Sequence, residues 1–235
     1  MKKLVVVGIS ETAERILFFC EHYRLYDVIA FSVDGKYKKT DTYHDRPVWD
    51  LETLHERINK NEVEIFVALF WNHLNGDRRR LYERLKQQDF QFANIISPKA
   101  SVRGIIGENC WLMDYAVVQE GAVVGNNVII ADFAHIANMA KISDHVFCGV
   151  RTSVMGGVRI GEQTFIGTCA SVLEHSIVGE KCVIGACTYV KQDTEPCSVI
   201  KADVSNNIVK HYPEEVIENK MVARYKAEHR KYREK

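Results

Sequence analysis

Two neighbouring side chains in the middle of the sequence have types that suit acid–base and binding chemistry. His135 carries an imidazole, the side chain most often used as a general base, and a positioned base of this kind typically contributes ~10²–10⁴-fold in rate. Asp132 and Asp144 lie near enough in the sequence to orient that imidazole. Asn138 follows three residues after His135, and its amide can hold an oxygen atom but cannot accept a proton at neutral pH. A structural role for His135 fits its position as well as a catalytic one.

A six-residue repeat must position these side chains. Residues 106–195 divide into fifteen hexads without an insertion, and the first place holds Ile, Leu or Val in fourteen of them. The fifth place never holds a residue larger than Val. Amphipathic helices repeat near 3.6 residues and strands near 2, so a strict period of six is typical of a parallel β-helix. Three hexads make one coil, and the sequence therefore predicts five coils.

The predicted coils place residues eighteen apart directly over one another, roughly 4.8 Å apart as in any sheet ladder. Asn138 then lies under Gly156, and Glu174 lies over it. Gly157 follows Gly156, so the wall has a double glycine, and we expect a notch there, one coil from Asn138. Glycine also suits an ordinary corner of the β-helix, so the notch has a structural explanation as well.

Residues 1–96 precede the repeat and alternate strand with helix, which indicates a small parallel sheet of the nucleotide-binding type. Ser10 and Glu11 are expected to cap the first helix. The predicted strands are 4–7, 28–33, 64–69 and 90–96, and the predicted helices are 11–23, 50–58 and 78–87.

Ligands of such sheets bind at the carboxyl ends of the strands. Gly8 would let the backbone turn tightly there, the helix that follows would favour phosphate, and Asp34 could accept a hydrogen bond from a ribose or sugar hydroxyl. The chain lacks a complete GxGxxG, so a docking domain with ordinary polar loops is the alternative. The candidate substrate-binding residues are Gly8, Ser10, Asp34, Trp71 and Asn72.

Composition excludes several classes of protein. Thirty-one basic residues balance thirty-one acidic ones, so no strong field attracts nucleic acid or an anionic membrane. The apolar run at the start is too short for a signal peptide, and no stretch is long and apolar enough to span a membrane. Seven cysteines without a CxxC spacing indicate reduced thiols in a cytoplasmic protein, and three of them fall at inward places of the repeat: Cys110, Cys148 and Cys182.

The hexads resemble the left-handed β-helix of the hexapeptide-repeat acyltransferases. Together with the N-terminal βαβ pattern, they resemble the sialic acid O-acetyltransferase-like group of sugar acyltransferases. The resemblance implies a small Rossmann-like α/β domain that binds a nucleotide sugar (1–96), a left-handed parallel β-helix acyltransferase domain (97–195), and a covering segment with a short C-terminal α-helix (196–235). It also implies a homotrimer with active sites between subunits. An apolar stripe along the final helix is expected to pack on that trimer: Ile217, Met221 and Tyr225.

The resemblance also draws attention to a departure. The family carries a histidine base, often followed by a polar residue, where this chain has Asn138 and Met139. His135 matches an upstream histidine that some members carry, and it is the best candidate for the base. His145 and His175 are weaker candidates that are expected to face the wall. An amine nucleophile loses its proton after attack, so a reaction without any protein base is a further possibility.

The resemblance implies acetyl-CoA as co-substrate and no metal. Its thioester or pantetheine arm would lie in the notch, and the candidate cofactor-binding residues are Gly156, Gly157, Glu174 and Ala186. The predicted function is acetyl-CoA-dependent N-acetylation of a nucleotide-linked amino sugar for surface polysaccharide synthesis. The alternatives are sugar O-acetylation and a non-catalytic trimer that binds CoA or a sugar nucleotide.

A β-helix carbonic anhydrase is a different class of enzyme with the same repeat. It would need zinc-binding histidines in matching places two coils apart. Thirty-six residues after His135 the chain has Ser171, so the spacing does not fit.

Overall fold

The computed structural model describes residues 1–202, of which the first part is a five-stranded sheet with three α-helices. Its elements are β1 (Lys3–Val7), α1 (Glu11–Tyr23), β2 (Asp27–Val33), β3 (Thr42–Tyr43), β4 (Arg46–Asp50), α2 (Leu54–Arg57), β5 (Val63–Val67) and α3 (Gly76–Lys86). The strand order is β3-β4-β2-β1-β5, and all neighbours run parallel except β3 and β4. The predicted α/β fold of the N-terminal part is therefore confirmed.

Helix α1 forms because its apolar residues recur on one face, which the sheet buries. The helix ends at Tyr23, because Arg24 adopts the left-handed conformation (φ 52°) and turns its N–H back to the last turn. Ser10 holds the N-cap position, but its hydroxyl does not cap the helix, so that prediction is wrong. The buried residues of α1 are Ala13, Ile16, Leu17 and Cys20.

Two predicted elements of this part differ from the structure. The hairpin of β3 and β4 was not predicted, since its charged, turn-rich sequence lacks an apolar alternation. The predicted strand 90–96 is wrong: Phe92 makes only an isolated bridge to Ile65, and the strand Ile95–Ile96 belongs to the next part of the chain. The helix expected at 50–58 is a 3₁₀ turn followed by the single turn α2.

The second part is a parallel β-helix of two-residue strands on three faces. One face contains β7 (Ser101–Val102), β10 (Val117–Val118), β13 (His135–Ile136), β16 (Ser153–Val154), β19 (Ser171–Val172) and β22 (Tyr189–Val190). The next contains β8 (Ile105–Ile106), β11 (Val123–Val124), β14 (Lys141–Ile142), β17 (Arg159–Ile160) and β20 (Ile177–Val178). The third contains β6 (Ile95–Ile96), β9 (Trp111–Leu112), β12 (Ile129–Ile130), β15 (Phe147–Cys148), β18 (Phe165–Ile166), β21 (Val183–Ile184) and β23 (Val199–Ile200).

The strand register confirms the period of eighteen. His135 pairs with Val117 on the coil before it and with Ser153 on the coil after it. The first place of each hexad points inward, and the core also contains the three cysteines that were expected there, Cys110, Cys148 and Cys182. The ladder begins at Ile95 and reaches Ile200, so it is longer than the regular hexads of the sequence.

The third face of the β-helix packs against the N-terminal sheet. Trp111 and Phe147 point outward from this face and share one apolar core with residues of the sheet and of α1. Trp111 is fully buried, with Phe19 packed edge-on at 5.7 Å between ring centroids and the Arg15 guanidinium 4.9 Å from its ring. The sheet and the β-helix are therefore joined by a continuous hydrophobic interface.

A ladder of polar side chains joins the same two parts. The Val67 N–H donates to Asn109 Oδ1 (2.9 Å), and the Asn109 amide donates to Asn127 Oδ1 (2.6 Å). The Asn127 amide N then lies 2.9 Å from His145 Nδ1, so that nitrogen accepts and the imidazole is neutral. Burial, followed by the charge of Arg79, lowers the pKa of His145 to about 4. His145 thus has a structural role, which agrees with its being only a weak candidate for the base.

No helix within residues 1–202 is both long and apolar enough to cross a bilayer. The predicted C-terminal helix and its stripe of Ile217, Met221 and Tyr225 lie outside the described residues.

Candidate functional site

The double glycine forms the turn between β16 and β17, at the corner between the first and second faces of the β-helix. Gly157 has φ +68°, a left-handed conformation that glycine adopts without strain. Its N–H donates to the Asn138 carbonyl on the preceding coil (3.1 Å), and the Gly156 carbonyl accepts from the His175 N–H on the following coil (3.0 Å). The three turns are therefore stacked as the sequence predicts.

Side chains approach this notch from both neighbouring coils. Asn138 Oδ1 lies 3.1 Å from the position that a Cβ of Gly156 would occupy. His175 Nδ1 lies 2.5 Å from the corresponding position at Gly157. Asn138 and His175 are both exposed. The notch consequently brings an amide and an imidazole to one double glycine, although the sequence ranked His175 low.

His135 lies on the flat first face rather than at this corner, in strand β13, and is half-buried. Its expected orienting carboxylates are engaged elsewhere: Asp132 accepts from the Asp114 N–H (3.2 Å), and Asp144 accepts from the Asn126 N–H (2.7 Å). Within residues 1–202 the His135 ring has no hydrogen bond or ion pair. The expectation that Asp132 and Asp144 orient His135 is therefore wrong.

The predicted cofactor-binding residues divide between two corners. Glu174 is exposed beside His175, at the corner of the notch. Ala186 is also exposed, but it lies in the turn between β21 and β22, at the corner between the third and first faces. A single chain therefore does not bring Ala186 to the double glycine.

A cleft of about 450 Å³ opens at the carboxyl ends of the sheet strands. Gly8 and Asp34 line it, as the sequence predicts. Gly8 has φ +130°, and a Cβ there would lie 3.1 Å from the Ala68 carbonyl oxygen, so glycine is required for this turn. Because Gly8 lines the cleft, the end of β1 borders the space that a ligand would occupy.

Three cations that were not among the predicted site residues also line the cleft. Lys36 follows β2, and Arg80 and Arg84 project from successive turns of α3. Arg84 donates to Asp34 (2.7 Å), and Arg80 pairs with Asp77. With these five charges the lining has a net charge of +1, three cations against two carboxylates. The spacing of Arg80 and Arg84 on a predicted helix was the signal that could have found them.

The remaining predicted substrate-binding residues do not line this cleft. The Ser10 hydroxyl donates to the Ala68 carbonyl (3.3 Å). Trp71 is 46% exposed and packs against Phe165 of the β-helix, with 5.5 Å between ring centroids. Asn72 is exposed beside it. The structure therefore gathers two of the five predicted residues at the cleft.

Within the described part of the chain, no group of three or more His, Cys, Asp or Glu side chains could hold a metal ion.

Comparison with known proteins identifies the repeat. The sequence model of the bacterial transferase hexapeptide family, which has six repeats, matches residues 103–138 and 157–192. The β-helix therefore contains hexapeptide repeats that match this family model. No curated protein matches the sequence significantly.

Several solved structures share the fold over most of this chain, and two of the three described below are acetyltransferases. A histidine-to-asparagine mutant of perosamine N-acetyltransferase from Caulobacter crescentus, in complex with CoA and GDP-perosamine, is 22% identical with a TM-score of 0.75, over 86% of this chain and 94% of that chain. The acetyltransferase domain of PglB from Neisseria gonorrhoeae, in complex with acetyl coenzyme A, is 23% identical with a TM-score of 0.75, over 88% and 99%. WeeI from Acinetobacter baumannii is 16% identical with a TM-score of 0.57, over 86% and 98%. The chain therefore has the fold of hexapeptide-repeat sugar acetyltransferases, as predicted.

Proposed function

We propose that the chain is an acetyl-CoA-dependent N-acetyltransferase that acts on a nucleotide-linked amino sugar for surface polysaccharide synthesis. The observation that carries this proposal is the combination of two sites in one fold. One is the cation-lined cleft at the carboxyl ends of a nucleotide-binding type of sheet, and the other is the notch in a hexapeptide β-helix.

The cleft supplies what a nucleoside diphosphate requires. Gly8 leaves backbone accessible at the end of β1, and Lys36 and Arg84 offer charge to phosphate oxygens. Asp34, now paired with Arg84, offers a carboxylate to a ribose or sugar hydroxyl. Enzymes of the same fold have been solved with a nucleotide sugar and with CoA, which supports this choice of substrates.

The notch suits the thioester end of acetyl-CoA. The double glycine has no side chains of its own to block the pantetheine arm, and Asn138 is placed to hold the carbonyl oxygen or the acceptor. Ala186 lies on another corner, so it would reach the same cofactor only from a second copy of the chain. This division, together with the exposed apolar residues Ile105 and Ile177 on the second face, supports a homotrimer with shared sites. Soluble co-substrates are consistent with a cytoplasmic location.

The lack of an ionisable group at Asn138 favours an amine over a hydroxyl acceptor. A hydroxyl must lose its proton during attack, whereas a neutral amine attacks first and loses its proton afterwards. O-acetylation is therefore the second candidate. The third, a non-catalytic trimer that keeps binding, is favoured by Asn138 itself: a histidine-to-asparagine mutant of the perosamine enzyme was solved with CoA and GDP-perosamine bound.

Thiol release from acetyl-CoA tests the proposal. Purified protein is assayed with pairs of nucleotide-linked sugars that differ only by an amine or a hydroxyl at one carbon. We expect release with an amino sugar and much slower release with its hydroxyl counterpart. Faster release with the hydroxyl member would favour O-acetylation, and measurable acetyl-CoA binding without release would favour the non-catalytic trimer.

A further inference from the structure

The His175 side chain leans back one coil and lies against Gly157. Nδ1 and Cε1 of its imidazole lie 2.5 and 2.9 Å from the position of a Gly157 Cβ, so the ring occupies space that only a glycine leaves open. Met139 repeats the arrangement two coils earlier, where its Sδ lies 2.5 Å from the Cβ position of Gly121. Met139 and His175 occupy equivalent positions at this corner, and both side chains point back toward the preceding coil. This direction places the His175 ring in the notch.

The notch has Asn138 on its other side. The Asn138 amide oxygen approaches Gly156 from the coil below, while the His175 imidazole approaches Gly157 from the coil above. Within residues 1–202 the His175 ring makes no hydrogen bond or ion pair. An imidazole thus stands free across a double glycine from the amide expected to hold a reacting group.

Three other ionisable groups of this region fit the role of base less well. Glu120 lies one coil below Asn138, where a backbone hydrogen bond and then Arg103 lower its pKa. Asp193, one coil above His175, accepts from the Ile177 N–H (2.8 Å). His135 lies on the flat face, away from the corner.

We propose that His175 is the general base of the acetyl transfer, in place of the histidine that this chain lacks at Asn138; this rests on the proposed function. The acceptor nitrogen attacks the thioester carbonyl and forms the C–N bond. Its proton passes to the His175 imidazole. The C–S bond breaks, and the CoA thiolate takes the proton from the imidazolium to leave as the thiol.

The first test compares kcat of His175→Gln and His135→Gln with the unmodified protein. We expect kcat to fall by roughly 10²–10⁴-fold in His175→Gln, while KM for both substrates changes little. His135→Gln should retain most of the activity. Added imidazole should restore part of the kcat of His175→Ala, an effect that a structural role for His175 would not give.

Two glycine-to-alanine substitutions supply a matched pair that removes no ionisable side chain from the protein. Gly157→Ala puts a methyl group 2.5 Å from His175 Nδ1, whereas Gly121→Ala puts one 2.5 Å from Met139 Sδ, and both glycines have a similar positive φ (+68° and +72°). The two variants should lose similar folding stability. Only Gly157→Ala should lose kcat by more than about tenfold, since only this variant displaces the imidazole.

The outcomes separate this inference from the proposed function. Unmodified protein that releases no thiol with any amino sugar overturns the proposed function and the role of His175 with it. Turnover that survives in His175→Gln, or an equal loss of kcat in Gly121→Ala and Gly157→Ala, overturns only the assignment of His175. If turnover survives in His175→Gln, the transfer needs no base at this position.

Discussion

Protonation of His145 should destabilise the fold between about pH 6.5 and pH 4. The buried imidazole accepts a hydrogen bond from Asn127 and is held neutral, which lowers its pKa from 6.5 to about 4. The unfolded chain therefore binds this proton first as the pH falls. Stability contributed by the neutral ring is fully present above pH 6.5 and is lost as the pH falls toward 4.

The magnitude follows from the two pKa values. For a pKa of 6.5 in the unfolded chain and about 4 in the folded chain, the free energy of unfolding falls by about 2 kcal/mol from pH 7 to pH 5. The carboxylate of Glu83, 3.8 Å from His145 Nε2, raises the pKa of the imidazole, and the value of about 4 already includes this effect.

Urea unfolding, followed by tryptophan fluorescence, measures the effect at the two pH values. His145→Asn is the matched variant, since asparagine already holds the same left-handed corner position at Asn109 and Asn127 and has no titrating group. The unmodified protein should lose about 2 kcal/mol more than His145→Asn between pH 7 and pH 5. His175→Gln, at an exposed position, should behave as the unmodified protein does. Equal pH dependence in His145→Asn and the unmodified protein would refute the neutral, hydrogen-bonded His145.

Three further perturbations test the interface and the cleft. Trp111→Ala should cost about 3–5 kcal/mol of stability, measured by urea unfolding, because it opens a cavity between the sheet and the β-helix; a cost below about 1 kcal/mol would contradict that interface. Arg84→Gln should raise KM for the nucleotide sugar roughly tenfold in steady-state assays, since the cleft loses a phosphate-binding charge. KM for acetyl-CoA should not change. Arg57→Gln, outside the cleft lining, is the control. Gly8→Ala should weaken nucleotide-sugar binding in calorimetry, because alanine is strained at φ +130° and its methyl group meets the Ala68 carbonyl; unchanged affinity would place the ligand elsewhere.

The repeat made the β-helix predictable to single residues. A strict period fixes which residues stack, so Asn138, Gly156 and Glu174 could be placed in one column without a structure. The N-terminal strands β1, β2 and β5 were also predictable, because a buried parallel strand is a continuous apolar run. The hairpin of β3 and β4 lacks that signal and was missed.

The parts of the site that the sequence did not predict depend on directions that a period does not encode. The eighteen-residue period predicts which residues lie above and below His175. It does not predict that the His175 side chain points toward Gly157, because that direction depends on the backbone conformation of the corner. His135 was the best candidate for the base because of its position in the sequence. In the structure it lies in a flat strand, β13, and not at the corner of the notch. Trp71 follows a strand end, yet its ring packs on Phe165, a contact between two distant segments.

The most direct test of the proposed reaction is to follow a labelled acetyl group from acetyl-CoA to its acceptor. Purified protein is incubated with labelled acetyl-CoA and nucleotide-linked amino sugars, and the product is identified by mass spectrometry and NMR. We expect an amide at the sugar nitrogen, formed together with free CoA. A labelled ester at a sugar hydroxyl, or labelled acetyl-CoA recovered intact while bound to the protein, would contradict it.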